Sequence, residues 1–282
     1  MSDTELHDHD RGLAFDLPRF LGRRRALQVL AGGGLATLVA ACGSGGSDDK
    51  ASGSTTTTTT GSTGGSDTTT GSGSGAGEAI PEETAGPFPG DGSNGPDVLT
   101  ESGVVRGDIT TSFGDLSGTA EGVPLTVTLT VLDVSSGGGP RSGAAVYVWH
   151  CDRDGNYSLY SIEDQNYLRG VQESGSDGTV TFTTIFPACY PGRWPHIHFE
   201  VYESLDAATS GGTKLKTSQL ALPEDVCQTV YDGADGYDQS VEALSEVSLD
   251  SDMVFSDGWS LELATVTGSV ADGYTATLNV PV

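Results

Sequence analysis

From Pro124 to Asp133 the chain sets Leu125, Val127, Leu129 and Val131 against Thr126, Thr128, Thr130 and Leu132. A two-residue period sends alternate side chains to opposite faces of a pleated strand, so this stretch predicts a half-buried strand and not a helix. Residues 145–151, 179–186 and 195–202 read as further strands, separated by Gly-Asp and Asp-Gly turns. Residues 259–267 and 274–280 read as a closing pair, and residues 238–245 as the one helix. No internal repeat is visible. Several short strands with turn signals predict a mainly β chain: an antiparallel β-sandwich with few short helices.

The chemistry-bearing residues crowd between Trp149 and His198. His196 and His198 flank Ile197 on a predicted strand, so both imidazoles share one face and Ile197 takes the other. Tyr157 and Tyr190 each close a turn, Gly155-Asn156-Tyr157-Ser158 and Pro187-Ala188-Cys189-Tyr190. Two phenols and two imidazoles form a candidate metal cup. Phenolates are hard anionic oxygen donors, better suited to ferric iron than to softer or divalent metals. A trivalent cation also holds a tyrosine deprotonated well below its free pKa of about 10. Against this stands a plainer reading, since H-x-H pairs often simply pack and tyrosines often cap turns. Spacing alone leaves both open.

The order of residues narrows the choice. Trp149-His150 through Tyr157-Ser158, then Pro187 through Tyr190, then Arg193 through His198 resembles the intradiol ring-cleavage dioxygenase family, related to catechol and protocatechuate dioxygenases. The likeness takes in Tyr167-Leu168-Arg169-Gly170, Asp177-Gly178, Thr183-Thr184-Ile185, Thr84-Ala85-Gly86-Pro87-Phe88 and Gly143-Ala144. It therefore runs over most of the chain from about residue 80. The resemblance implies non-haem Fe(III) held by Tyr157, Tyr190, His196 and His198, Tyr190 and His196 being axial. It implies cleavage of a catechol-type ring with O2 to a muconate-type diacid. Tyr190 and Arg193 are then the catalytic residues: Tyr190 as a departing phenolate that accepts a catechol proton, Arg193 as the cation beside the substrate. Gly86-Pro87-Phe88 is expected at the pocket mouth and Tyr167 to Arg169 along its wall, with Arg169 alternatively a salt-bridge partner.

Two departures are visible. Cys189 stands where many relatives carry a bulky aromatic, and the helical N-terminal dimerisation segment of catechol dioxygenases has no counterpart. The competing reading is a surface-tethered protein that binds catechols or ferric catecholates without turnover; an inert β-sandwich module is a third. Arg193 separates the first two, because oxygen activation uses such a cation and capture alone does not require it.

The N-terminal region reads as an export leader. Arg23-Arg24-Arg25 precedes a mildly apolar run from Val29 to Ala41, too short to span a bilayer comfortably. Val39-Ala40-Ala41-Cys42 resembles a bacterial lipobox, which implies cleavage before Cys42 and a lipid anchor on its thiol. The expected organisation is a twin-arginine lipoprotein signal over 1–42, a Ser/Thr/Gly-rich flexible linker over 43–78, and the catalytic domain over 79–282. The linker has an r.m.s. reach of roughly 30–35 Å. The expected location is extracytoplasmic, with the membrane touched only through Cys42.

Net charge is −26, from 13 basic and 39 acidic residues. Such a surface repels nucleic acid and anionic headgroups, and neither is expected as a partner. Catechol and O2 are the expected partners. Three cysteines follow the leader, Cys151, Cys189 and Cys227. An oxidising compartment favours pairing. Comparison with the family suggests Cys189–Cys227, with Cys151 as a buried thiol. Asp152, Asp154 and Asn156, with Glu163 further on, partly mimic a calcium loop. Tyr157 stands where that loop needs glycine, so the aspartates read as turn formers. His150 reads as a hydrogen-bonded structural histidine.

Overall fold

The computed structural model describes residues 77–282. The expected signal, lipobox and most of the linker lie outside the described residues. Strand β1 (Pro124–Asp133) follows its alternation, with Leu125, Val127, Leu129 and Val131 buried and the threonines toward the outside. It is followed by β2 (Gly139–Pro140), β3 (Ala145–Trp149), β4 (Arg169–Glu173), β5 (Thr179–Ile185), β6 (His196–Tyr202), α1 (Leu205–Thr209), β7 (Lys214–Ala221), α2 (Glu224–Gly233), α3 (Asp238–Ser245), β8 (Thr265–Ser269) and β9 (Gly273–Pro281). Among the described residues no helix is long and apolar enough to cross a membrane.

Two sheets face each other. The first carries β2 and β5 antiparallel on β1, with β9 on the other flank of β1 and β8 at the edge. The second runs β4-β3-β6-β7, antiparallel throughout. One ladder departs from the antiparallel expectation: β1 and β9 run parallel, in register from Leu125 with Tyr274 to Leu132 with Pro281. Val127, Leu129, Phe182 and Leu278 from the first sheet meet Val148, Ile197, Phe199 and Val201 from the second, forming the central core.

The two central strands of the second sheet, β3 and β6, are buried on both faces, which is what positions the site. Every residue of β6 is buried. Ile197, Phe199 and Val201 enter the central core, while His196, His198, Glu200 and Tyr202 take the outer face by strict alternation. That outer face is roofed by a second cluster, with Val98, Val104, Tyr157 and Ala188 packed against Tyr147, Trp149 and Val171. Polar side chains placed there must find partners, because burying them unpaired is costly.

Three expectations need correction. Residues 259–264 are mostly turn, meeting β7 through the isolated Ala221–Leu263 bridge and the Ser218–Glu262 hydrogen bond, so the strand predicted from 259 begins at Thr265. Two further helices, α1 and α2, accompany the predicted one. Cys189 and Cys227 are not bridged; all three cysteines are free and buried. The Cys189 thiol instead donates to the Arg193 carbonyl at 3.5 Å. Burial pushes this thiol up to about 12 and the Cys227 thiol well above its ordinary value. They behave as small apolar fillers beneath the Tyr190 turn.

Candidate metal centre

Tyr157 leaves β3 through a turn that Asp152 organises. Its carboxylate Oδ1 accepts the N–H groups of Asp154 (3.0 Å) and Asn156 (2.8 Å), as the turn-forming reading of Asp152 expects. The Tyr157 carbonyl then accepts from Tyr160, Ser161 and Ile162, closing the loop behind it. Tyr190 arrives from the opposite side on a turn closed by Arg193 N–H to its carbonyl, 3.2 Å. The imidazoles rise from β6 between them.

All four predicted ligands converge. Tyr157 Oη lies 3.3 Å from Tyr190 Oη and 3.5 Å from His196 Nε2. Tyr190 Oη is 3.3 Å from His196 Nε2, and the two Nε2 atoms are 3.1 Å apart. Donors bound at about 2.1 Å to one cation at angles of about 90–120° stand roughly 3.0–3.6 Å from each other, so these spacings fit a single metal ion. Among the described residues no group of three or more His, Cys, Asp or Glu could hold a metal, so an ion here needs the phenols.

The protonation chemistry suits the same conclusion. His196 Nδ1–H donates to the Trp194 carbonyl at 2.5 Å, which leaves its Nε2 lone pair facing the phenols. Burial, reinforced by Arg193, pushes His196 well below the ordinary imidazole value; burial and then His196 do the same to His198. Burial raises Tyr157 well above 10 and Tyr190 to about 12. Burial by itself therefore favours two neutral imidazoles and two phenols, and a cation would have to displace the phenolic protons. The Nδ1 of His198 is buried with no partner among the described residues.

Packing rather than hydrogen bonding orients His198. Its ring stacks on the Trp149 indole, and Trp149 stacks in turn on Tyr147. On the other side Gly86, at φ +68°, brings its backbone against the imidazole; a Cβ there would lie 3.3 Å from Cε1. Only glycine suits both that conformation and that approach. Phe88 continues the roof, 4.9 Å from the Tyr157 ring and 5.1 Å from Tyr160.

Arg169 is a carbonyl clamp and not a salt-bridge partner. Its buried guanidinium donates to the carbonyls of Pro89 (2.7 Å), Phe88 (2.9 Å) and Ser158 (2.9 Å), and to the hydroxyls of Ser158 and Tyr147. It ties the roof to the Tyr157 turn. His150 bonds the Cys151 carbonyl and Thr184 Oγ1, each at 2.7 Å, as a structural histidine should.

Arg193 reaches the cup. Its Nη1 is 3.4 Å from His196 Nε2, and the residue is nearly buried, 9% exposed. Two of its partners escaped the sequence reading. Nη2 donates to Gln219 Oε1 at 2.6 Å and Nε to Asp252 Oδ2 at 3.0 Å. Gln219 Nε2 donates onward to the Thr84 carbonyl at 2.9 Å. Neither residue belongs to a local motif, so no short-range signal marked them.

No family model matches the chain. A hydroxyquinol 1,2-dioxygenase of Nocardioides simplex is 35% identical over 108 residues, 32% of this chain and 36% of that protein. A chlorocatechol 1,2-dioxygenase of Rhodococcus opacus is 44% identical over 55 residues, 19% of this chain and 21% of the relative. The chain thus spans about a third or less of the length of these two curated relatives. Among solved structures, an intradiol ring-cleavage dioxygenase from Tetranychus urticae matches at TM-score 0.52 and 26% identity. That match covers 64% of this chain and 87% of that one. In sequence and in fold, the relatives of this chain are intradiol ring-cleavage dioxygenases.

Proposed function

We propose that this chain is a non-haem ferric intradiol dioxygenase, opening a catechol-type ring with O2 to a muconate-type diacid that keeps both oxygen atoms. One observation carries the reading: two phenolic oxygens and the His198 Nε2 atom all stand 3.1–3.5 Å from His196 Nε2 at the buried end of β6. Tyr157, Tyr190, His196 and His198 would hold the metal. Ferric iron, when bound there, supplies Lewis acidity and a template for the two substrate oxygens.

The remaining work falls to the protein. Tyr190 is the donor whose side chain stays partly exposed, while Tyr157 is buried. Its phenolate oxygen is therefore the base best placed to take a catechol proton from an entering substrate. The Arg193 guanidinium, fixed at the edge of the cup, would stabilise negative charge developing on the ring during attack. Gly86, Phe88 and Trp149 wall the donors from water, which strengthens both effects.

The leader motifs support a further part of the proposal: export by the twin-arginine route and anchoring through lipidated Cys42. Cys42→Ser would release the protein from the membrane fraction if that reading holds.

The direct test mixes iron-loaded protein with catechol and hydroxyquinol in air. Dioxygen uptake with rising muconate absorbance is expected. A stable coloured complex without oxygen uptake would contradict catalysis.

A further inference from the structure

Asp252 lies on the chain segment after α3, 59 positions from Arg193 in sequence, and is fully buried. Both carboxylate oxygens are fully engaged. Oδ1 accepts the backbone N–H groups of Val254 (2.8 Å) and Phe255 (3.2 Å), which anchors the carboxylate on its own turn. Oδ2 accepts Arg193 Nε–H at 3.0 Å and the Trp194 N–H at 2.6 Å. One oxygen therefore grips the guanidinium and the peptide that follows it.

We propose that Asp252 is the positioning residue of this centre, holding the Arg193 guanidinium in the plane that presents Nη1 to the cup and balancing its charge. The proposal rests on the ring-cleavage reading above. The geometry gives it two parts. With Nε bound to Asp252 and Nη2 to Gln219, the guanidinium fork is fixed at two corners, and the third, Nη1, can only face His196. Gln219 is neutral and supplies direction without charge. Asp252 is the ion-pair partner of Arg193, and a buried guanidinium without it would oppose a multivalent cation held a few ångströms away.

An asparagine at 252 has one acceptor oxygen and one amide in place of two acceptors. It can keep the Val254 and Phe255 bonds only by turning donors toward Arg193 Nε–H and Trp194 N–H. The guanidinium then loses its fixed plane.

The test compares Asp252→Asn with wild type, in the parent and in an Arg193→Gln background, all iron-loaded. Asp252→Asn should lower kcat by about 10- to 100-fold, with KM changed by less than about threefold. Its phenolate-to-iron visible band should stay in place. In the Arg193→Gln background the same substitution should change kcat by less than about threefold, because its target is gone. An equal loss in both backgrounds, unchanged kcat, or a lost visible band would overturn the proposal. If Asp252→Asn fails to fold, wild-type protein loaded with gallium decides by NMR: the Arg193 Nε–H should exchange slowly, and free exchange would overturn the assignment. If wild type turns over no catechol at all, the ring-cleavage reading fails, and the gallium measurement still judges the Asp252–Arg193 contact separately.

Discussion

The imidazole of His198 lies flat on the indole of Trp149, ring centroids 4.8 Å apart and planes within 4°. The indole Nε1 has no hydrogen-bond partner among the described residues, so the contact is one of faces alone. Trp149→Leu should cost about 3 kcal/mol in urea unfolding and weaken iron binding about tenfold, because the ring loses its backing. Trp149→Phe should cost under about 2 kcal/mol and keep the metal, since no N–H bond is lost. Equal iron affinity in all three proteins would contradict this role.

Gly86 makes a second contact with the same ring. Gly86→Ala adds a methyl 3.3 Å from His198 Cε1 at a backbone angle that alanine resists. The cost should be about 1–2 kcal/mol. Displacement of the imidazole should appear as a shifted visible band in the iron-loaded protein. A stability loss with an unmoved band would mean that the roof yields and the ligand does not.

Arg169 holds the roof to the Tyr157 turn through five hydrogen bonds. Arg169→Met should leave the Phe88 and Ser158 carbonyls short of a donor, Pro89 keeping the Tyr147 hydroxyl, and destabilise the fold by about 3–5 kcal/mol. Limited proteolysis near residues 86–94 should accelerate in step.

Stability should fall as pH rises through the neutral range. Burial, helped by the neighbouring Glu83 carboxylate, raises Glu262 from 4.5 to about 8, and one of its oxygens has no partner among the described residues. Glu83 is raised to about 7, by burial and then by Asp257. Native protein keeps these protons where the unfolded chain has released them, so the protonated forms stabilise the fold fully below about 4.5. That contribution is lost between 4.5 and about 8. Glu262→Gln should match wild type at pH 5 and exceed it by on the order of 2 kcal/mol at pH 8. Parallel pH profiles of denaturation midpoint for the two proteins would contradict the assignment.

The sequence made the site more legible than the frame around it. Tyr157, Tyr190, His196, His198 and Arg193 sit in short motifs whose local geometry, a turn or one strand face, carries the side chain to its place. β4 and β7 hide because polar side chains are buried on their outer face, Arg169 beside Val171 serving the roof and Gln219 serving Arg193, so no apolar alternation marks them. The parallel β1–β9 pairing joins strands more than a hundred residues apart, which periodicity cannot reveal. The pairing suggested for Cys189 and Cys227 failed because a thiol that fills a core is indistinguishable in sequence from one that bridges.

The metal content of aerobically purified, iron-supplied protein, read beside its visible spectrum, tests the central claim most directly. One iron per chain with a phenolate charge-transfer band, lost in Tyr157→Phe and His198→Ala, is the predicted result. A colourless wild-type protein that takes up no iron would contradict it.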